Sequence, residues 1–359
     1  MSDPQKKRKK DWKRTTLVML CIVLSVILVL LAIAGAVLNY LDTNFLDRLN
    51  YVSGDTTISP EDASSMMGDE LVTLDPNDTS PIVDASDVTL PPESDDPLGQ
   101  GNHIVNILLI GQDARKGEGK QRSDSMILVT FNKSTRKITL TSFMRDSYMY
   151  IPGYGATKLC HAYQYGGMTL LNETIYNHYG IRVDGNVEVN FEGFEKIIDL
   201  LGGVEIELTR KEANFMNEDQ GFNVRKGTQI LNGEEALFYA RIRHIDSDYK
   251  RTERQRKVIM SVFNEYKNQS LPRMLELMEE ILPYVTTDMT KNEIKGYAME
   301  LFSMAAGSQM GSMRLPAAGT YKDGYATVFD IPGKYLSCQV EIDFEANKEI
   351  LRELFKKAD

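Results

Sequence analysis

The chain has 359 residues, 42% of them hydrophobic and 26% charged, with a formal net charge of −10. That length allows one large domain or two ordinary ones with accessories. Of the cysteines, Cys21 lies in an apolar run, and neither Cys160 nor Cys338 has CxxC or CxxH spacing. This argues against a thiolate zinc site and leaves a Cys160–Cys338 disulfide open.

The first segment, 1–14, is basic: Lys6 to Lys10, then Lys13 and Arg14. It precedes an apolar run from about Leu17 to Leu38, within a span set at 15–39. Roughly 20 apolar residues rising 1.5 Å each cross a bilayer core. Cations ahead of the run hold that end in the cytoplasm and send the rest outside. Trp12 suits the interface. The basic cluster is therefore read as a topology signal, not a nucleic-acid patch. A cleaved signal peptide is the other reading, since Ala32-Ile33-Ala34 resembles a cleavage site.

Residues 40–102 change character. Asp and Glu recur from Asp42 to Asp96 against a lone Arg48, with Pro, Ser and Thr between them. Apolar residues are sparse, so the segment reads as a largely disordered extracellular stalk. The alternative is a small accessory β-unit around Glu70–Leu74.

From 103 to 345 the pattern is that of a globular α/β domain, with a C-terminal helix over 346–359. Val105–Ile110, Met126–Phe131 and Ile138–Phe143 read as strands, the last two separated by the turn-like Asn132-Lys133-Ser134-Thr135. Helical patterns follow at 170–179, 191–201, 233–239, 251–267, 272–282 and 291–303. Strand-like stretches at 204–208 and 311–315 are interleaved. The mixture predicts a central mixed β-sheet covered by helices.

Polar residues gather at the strand ends. Asp113 follows the first strand, Arg122 and Asp124 precede the second, and Arg145-Asp146 follow the third. A symmetric hairpin turning at Ser134/Thr135 would set Asp124 opposite Arg145. An antiparallel first strand would end at the same edge. A second cluster comprises Arg241, Arg243, Arg251, Arg254, Gln255 and Arg256. Arg241 and Arg243 share a side if that segment is extended. On a helix, Arg251, Gln255 and Val258 form one stripe while Arg254 faces elsewhere. Guanidinium forks suit phosphate oxygens, and paired carboxylates suit a hard divalent ion such as Mg²⁺. Together they point to phosphoryl transfer; ordinary structural salt bridges are the competing reading.

These segments resemble the LytR–CpsA–Psr family of cell-wall glycopolymer transferases. The resemblance rests on Asn106–Asp113, Arg122–Met126, Arg145–Ser147 through Ile151–Gly155, Ala162-Tyr163 with Gly166-Gly167, Asn190–Phe194, Leu201–Val204, Leu231–Leu237, and Ala240–Arg243 with Arg254-Gln255. It is dense from His103 to about Lys267 and thins beyond. It implies an α/β fold with a lipid tunnel beside a pyrophosphate site. By motif, Asp113 and Asp124 resemble magnesium ligands, with Mn²⁺ as the other candidate. Arg122, Arg145, Arg241, Arg243, Arg251 and Gln255 resemble the pyrophosphate clamp. Asp113, Asp124 and Arg145 carry the catalytic assignment, one of the aspartates being a candidate base. One departure stands out: the family's third strand usually ends Pro-Arg-Asp, and Met144 in place of proline is expected to loosen the backbone there. Phe191, Phe194, Ile197, Ile198 and Leu201 share a helix face that could line the tunnel or simply be core. Cys160 and His161 fall near the site, with His161 expected to be incidental.

The implied activity moves an anionic glycopolymer (teichoic acid, capsule or a related wall glycan) from a polyprenyl-pyrophosphate carrier to peptidoglycan. A hydrolase at the same site and a membrane-tethered binding or regulatory module are the alternatives. The basic-then-apolar start places the catalytic domain outside the cell on a single-pass anchor.

Overall fold

The hairpin at the centre of the domain is built by its turn. Asn132 Oδ1 accepts the backbone N–H groups of Ser134 at 3.2 Å and Thr135 at 3.1 Å, and Arg136 takes φ 53° to close the loop. The register that follows pairs Asn132 with Lys137 and Ile127 with Ser142. The ladder ends with β6 at Phe143, and just past it Arg145 meets Asp124 through its side chain.

The computed structural model describes residues 50–52, 57–66, 70–92, 98–112, 122–267, shorter stretches between 269 and 300, 308–328, 331 and 333–358. The expected membrane span at 15–39 and the first candidate carboxylate, Asp113, lie outside the described residues. Among the described residues no helix is long and apolar enough to cross a membrane.

In chain order the elements are β1 (Asn50–Tyr51), α1 (Pro60–Ser65), β2 (Leu71–Val72), β3 (Ile82–Val83), β4 (Ile104–Gln112), β5 (Ser123–Asn132), β6 (Lys137–Phe143), β7 (Tyr148–Ile151) and β8 (Gly155–Lys158). Then come α2 (Leu159–Tyr179), β9 (Gly185–Asn190), α3 (Phe191–Leu200), β10 (Val204–Leu208), α4 (Arg210–Gln220), β11 (Gly227–Leu231), α5 (Gly233–Arg241) and α6 (Asp248–Lys267). The chain closes with β12 (Thr286–Thr287), β13 (Gln309–Leu315), β14 (Lys322–Thr327), β15 (Tyr335–Val340) and α7 (Phe344–Phe355).

The main sheet runs β1-β12-β9-β4-β5-β6-β13. Strand β5 runs antiparallel to both β4 and β6, while β9 lies parallel to β4 and β13 parallel to β6, so the sheet is mixed. Alternation along β4 divides the two faces. Leu108 and Ile110 join Met126, Leu128, Tyr163, Leu171 and Leu351 in the core under α2 and α7. Leu108 and Leu128 are wholly buried, each contributing about 1.5–3 kcal/mol. Leu109 points to the other face, toward α3, α5 and α6, where a cavity opens.

Three expectations are revised. Strands β4 and β5 run past their apolar cores at one end, through a bulge at Gly111/Gln112; this extension carries the polar residues to the sheet edge. Met144 does not loosen that edge. It is fully buried, and its N–H donates to the Leu315 carbonyl at 2.8 Å, a bond proline could not make. The described part of 40–102 is not a stalk: β2 and β3 flank the β14–β15 hairpin in a four-stranded sheet. Leu71, Val83, Ala85 and Val88 pack on Tyr148, Ala326, Leu336 and Cys338. These few apolar residues find a core because the hairpin that covers them comes 243 to 265 positions later in the chain.

Cys160 and Cys338 are both free and buried, so no disulfide joins them. Helix α4 was not visible in apolar periodicity. Its signature is polar, a capping box in which Thr209 and Glu212 satisfy each other's backbone N–H groups.

Candidate active site

The cavity lies between the sheet and three helices and has a volume of about 720 Å³. Leu109, Val187 and Val189 form its floor; Phe194, Ile197, Ile198, Leu237, Val258, Ile259 and Val262 form its apolar walls. Helix α3 leaves the sheet abruptly because the Asn190 side chain caps it, accepting Gly193 N–H at 2.8 Å. Helix α5 is drawn against α3, with Gly233 N–H donating to Asp199 Oδ1 at 2.8 Å. A Cβ at Gly233 would stand 2.3 Å from the Glu195 carbonyl oxygen, so only glycine permits this approach. Of the predicted tunnel stripe, Phe191, Phe194, Ile197 and Ile198 line the cavity, while Leu201, at the C-cap of α3, is not part of the lining.

The other end is ionic. Arg145 Nη1 donates to Asp124 Oδ1 at 2.6 Å, and its Nε lies 3.4 Å from Asp146 Oδ2. Arg243 reaches the same Asp124 oxygen at 3.7 Å and Asp248 Oδ1 at 3.7 Å. Asp248 in turn pairs with Arg251 at 2.9 Å. On the opposite side Lys158 Nζ lies 3.1 Å from Asp146 and 2.8 Å from Glu70, and Glu70 pairs with Arg122. The result is one alternating chain, Arg122–Glu70–Lys158–Asp146–Arg145–Asp124–Arg243–Asp248–Arg251. Five cations meet four carboxylates, and Arg241, on the cavity wall with its guanidinium 4.2 Å from the Phe191 ring, adds another positive charge. Gln255 lies alongside, its Oε1 accepting from Ser125 at 3.3 Å.

Burial alone would strip charge from these groups, but their neighbours prevent it. Burial opposes charge on Arg145, and the carboxylates of Asp146 and Asp124 outweigh it, raising the pKa. Lys158 behaves likewise between Asp146 and Glu70. Asp248 goes the other way, raised chiefly by burial. Within this cluster the buried Nε–H groups of Arg145 and Arg251 have no hydrogen-bond acceptor. Such orphans are rare in folded proteins and suit a ligand rich in anionic oxygens.

Every residue predicted for the clamp, Arg122, Arg145, Arg241, Arg243, Arg251 and Gln255, lines this cavity, as does Asp124, the described one of the two predicted metal ligands. One local expectation is corrected. Arg241 and Arg243 are not on an extended segment; Arg241 ends α5, and the turn at buried Ile242 brings both to the wall. Arg251, Gln255 and Val258 do share the inward stripe of α6. Arg254 faces away, bound to Glu212 at 2.7 Å and to the Ile242 carbonyl at 3.0 Å, which pins that turn. Sequence reasoning missed Glu70, Lys158 and Asp248. Asp248 was readable as an i,i+3 partner of Arg251; Glu70 and Lys158 carried no local signal.

The domain is thus mixed α/β, with a cavity that is ionic at one end and apolar along its length. The chain belongs to the LytR_cpsA_psr family, whose model matches residues 67–342. It is 38% identical over 177 residues to the polyisoprenyl-teichoic acid–peptidoglycan teichoic acid transferase TagT of Bacillus subtilis, covering 47% of this chain and 55% of that protein. It is 33% identical over 223 residues to the regulatory protein MsrR of Staphylococcus aureus, covering 61% of this chain and 66% of that protein. The alignments thus span less than two thirds of either relative. A solved structure of the LytR-CPS2A-psr family protein YwtF (TagT) with bound octaprenyl pyrophosphate lipid superposes with TM-score 0.53 at 27% identity, over 73% of this chain and 92% of that one.

Proposed function

We propose that this chain is a phosphotransferase that moves an anionic glycopolymer from a polyprenyl-pyrophosphate carrier onto peptidoglycan. The observation that carries this reading is the cavity itself. It joins a cationic cluster to an apolar channel, as a pyrophosphate with a polyprenyl tail requires. The transferase named among its relatives and the lipid in the related structure support the same substrate class.

In this reading Arg145, Arg243 and Arg251 fix the pyrophosphate oxygens, and Arg122 and Arg241 close over it from the rim. An acceptor sugar hydroxyl attacks the phosphorus that bears the polymer. The new oxygen–phosphorus bond forms as the bond to the bridging oxygen breaks, and polyprenyl phosphate departs with that oxygen. The hydroxyl proton goes to a carboxylate or to water. Charge building on the departing phosphate is met by guanidinium groups already in place, which is where most of the rate gain would arise.

The donor set fits a magnesium ion. Both ion pairs of Asp124 fall on Oδ1, which leaves Oδ2 for a ligand. Mg²⁺ is commonly held by one or two carboxylates plus substrate phosphates. Among the described residues no group of three or more His, Cys, Asp or Glu could hold a metal alone, so substrate phosphates would have to complete the site. Asp124, with Asp113 beyond the described residues, would hold Mg²⁺ or Mn²⁺, which would supply further neutralisation of the phosphate oxygens.

The test uses the full chain in detergent micelles with a synthetic polyprenyl-pyrophosphate sugar, Mg²⁺ and peptidoglycan oligomers. Release of polyprenyl phosphate with attachment of sugar, both lost in Asp124→Ala and on chelation, is the expected result. Release without attachment would indicate a hydrolase. Tight donor binding without release would indicate a binding module. The anchor and an extracellular catalytic domain are part of the proposal, and a cytoplasmic signal from a C-terminal topology reporter would overturn it.

A further inference from the structure

Glu70 lies outside the motifs that carry the family resemblance, in the acidic segment before the catalytic domain. Yet it lines the cavity with only 14% of its side chain exposed. Its position is fixed on both sides. Upstream, Ile58 N–H donates to the Tyr165 carbonyl at 3.0 Å, and the Tyr154 hydroxyl donates to the Ile58 carbonyl at 2.7 Å. Downstream, Leu71 and Val72 pair with Leu336 and Tyr335. The carboxylate then meets three partners: Arg122, Lys158 at 2.8 Å and His161 at 3.6 Å.

His161 is arranged for this contact. It is 1% exposed, stacks on Tyr165 with ring centroids 5.5 Å apart, and has Thr157 Oγ1 at 2.8 Å from Nδ1. With the threonine hydroxyl donating to Nδ1, the remaining proton sits on Nε2, facing Glu70. Burial pushes the Glu70 carboxyl up, but His161 and Lys158 outweigh it and hold it well below the usual carboxylate range. Its cationic and histidine partners thus favour the carboxylate form.

Arg122 explains what the carboxylate is for. It follows directly on residues 113–121, and its side chain is 37% exposed, against 18% for Arg145. Glu70 is its one ion-pair partner among the described residues. Through Glu70, Arg122 is joined by way of Lys158 and Asp146 to Arg145.

We propose that Glu70 is a positioning residue for the transfer reaction, holding Arg122 at the rim of the pyrophosphate site and tying it to Arg145 through Lys158 and Asp146. The acidic segment before the catalytic domain is then part of the active site. A chain beginning at His103, where sequence alone starts the domain, would lack this carboxylate and both β2 and β3. The proposal rests on the transferase reading above.

The experiment is a double-mutant cycle in the full chain, comparing wild type, Glu70→Gln, Arg122→Ala and the pair. Donor Kd and single-turnover kcat are both measured, with Tm as a control for folding. Glu70→Gln removes a negative charge from the site, so donor binding is held or tightened while kcat falls about 10–100-fold, a split that general destabilisation does not produce. In the pair, Arg122→Ala adds little to Glu70→Gln, and Glu70→Asp restores part of the rate. Additive losses, an unchanged kcat in Glu70→Gln, or a loss that follows Tm would each overturn the proposal. If wild type binds donor without turnover, the transferase reading fails first. The same cycle read in donor Kd then decides on Glu70, with additivity rejecting it and coupling of about tenfold or more upholding its link to Arg122.

Discussion

Replacing Arg145 by lysine is the sharpest test of the ionic end of the cavity, because it keeps the charge and removes the fork. Arg145 reaches two carboxylates with different nitrogens, by a hydrogen bond from Nη1 to Asp124 at 2.6 Å and by an ionic contact from Nε, which has no hydrogen-bond acceptor, to Asp146 at 3.4 Å. A compact ammonium cannot hold both. Losing one charge-assisted hydrogen bond costs about 1.5–3 kcal/mol, a drop in Tm of about 3–12 °C for a domain of this size. The rate should suffer separately. Removing one pre-aligned donor to developing charge typically costs about 10²–10³ in kcat, or about 2.7–4 kcal/mol. Because the charge remains, donor Kd should change less than tenfold. Quench-flow measurement of polyprenyl phosphate release, run below the variant's Tm, separates these effects. A folded Arg145→Lys protein turning over within about threefold of wild type would refute the argument and reduce Arg145 to a structural ion pair.

Three further outcomes follow from other parts of the molecule. Ile259→Trp narrows the apolar channel from α6, so a long-tailed donor should lose at least about tenfold in affinity, about 1.4 kcal/mol; equal loss for a short-tailed analogue would place the tail elsewhere. Gly233→Ala forces α5 from α3, and calorimetry should register about 1–3 kcal/mol of destabilisation; an unchanged Tm would mean the helices separate freely. Burial lowers the His178 pKa to about 4 from 6.5, against the bond it makes to the Tyr150 carbonyl. Between those values the unfolded chain binds a proton that the folded chain refuses, so stability is complete above pH 6.5 and falls as pH drops toward 4, by about 3 kcal/mol. His178→Gln should therefore lose less stability than wild type between pH 7 and 4.5; identical losses would show that His178 does not contribute.

The hairpin and its consequences were legible because they are local. Asn132 sets the turn, the turn sets the register, and just past the ladder Arg145 meets Asp124. The α6 stripe was equally readable, since a four-residue spacing on a helix places Arg251 and Gln255 together whatever the surrounding fold. Arg254 pointed elsewhere for the same reason. Helix α3 gave its apolar face but not its task, because periodicity cannot distinguish a channel wall from a core.

What the sequence by itself determined is a mixed α/β domain with carboxylates and guanidiniums at one sheet edge, an order of motifs that names the family, and a basic-then-apolar start to the chain. Only the tertiary structure decided that the described part of the acidic segment belongs to the domain, that Lys158 and Glu70 complete the ionic chain, and that the apolar face of α3 encloses a cavity. These features depend on partners far away in sequence: Leu71 waits for Leu336, Glu70 for Lys158, and Gly233 for the backbone at Glu195. A composition poor in apolar residues looks disordered until the surface that buries those few residues has been built by another part of the chain.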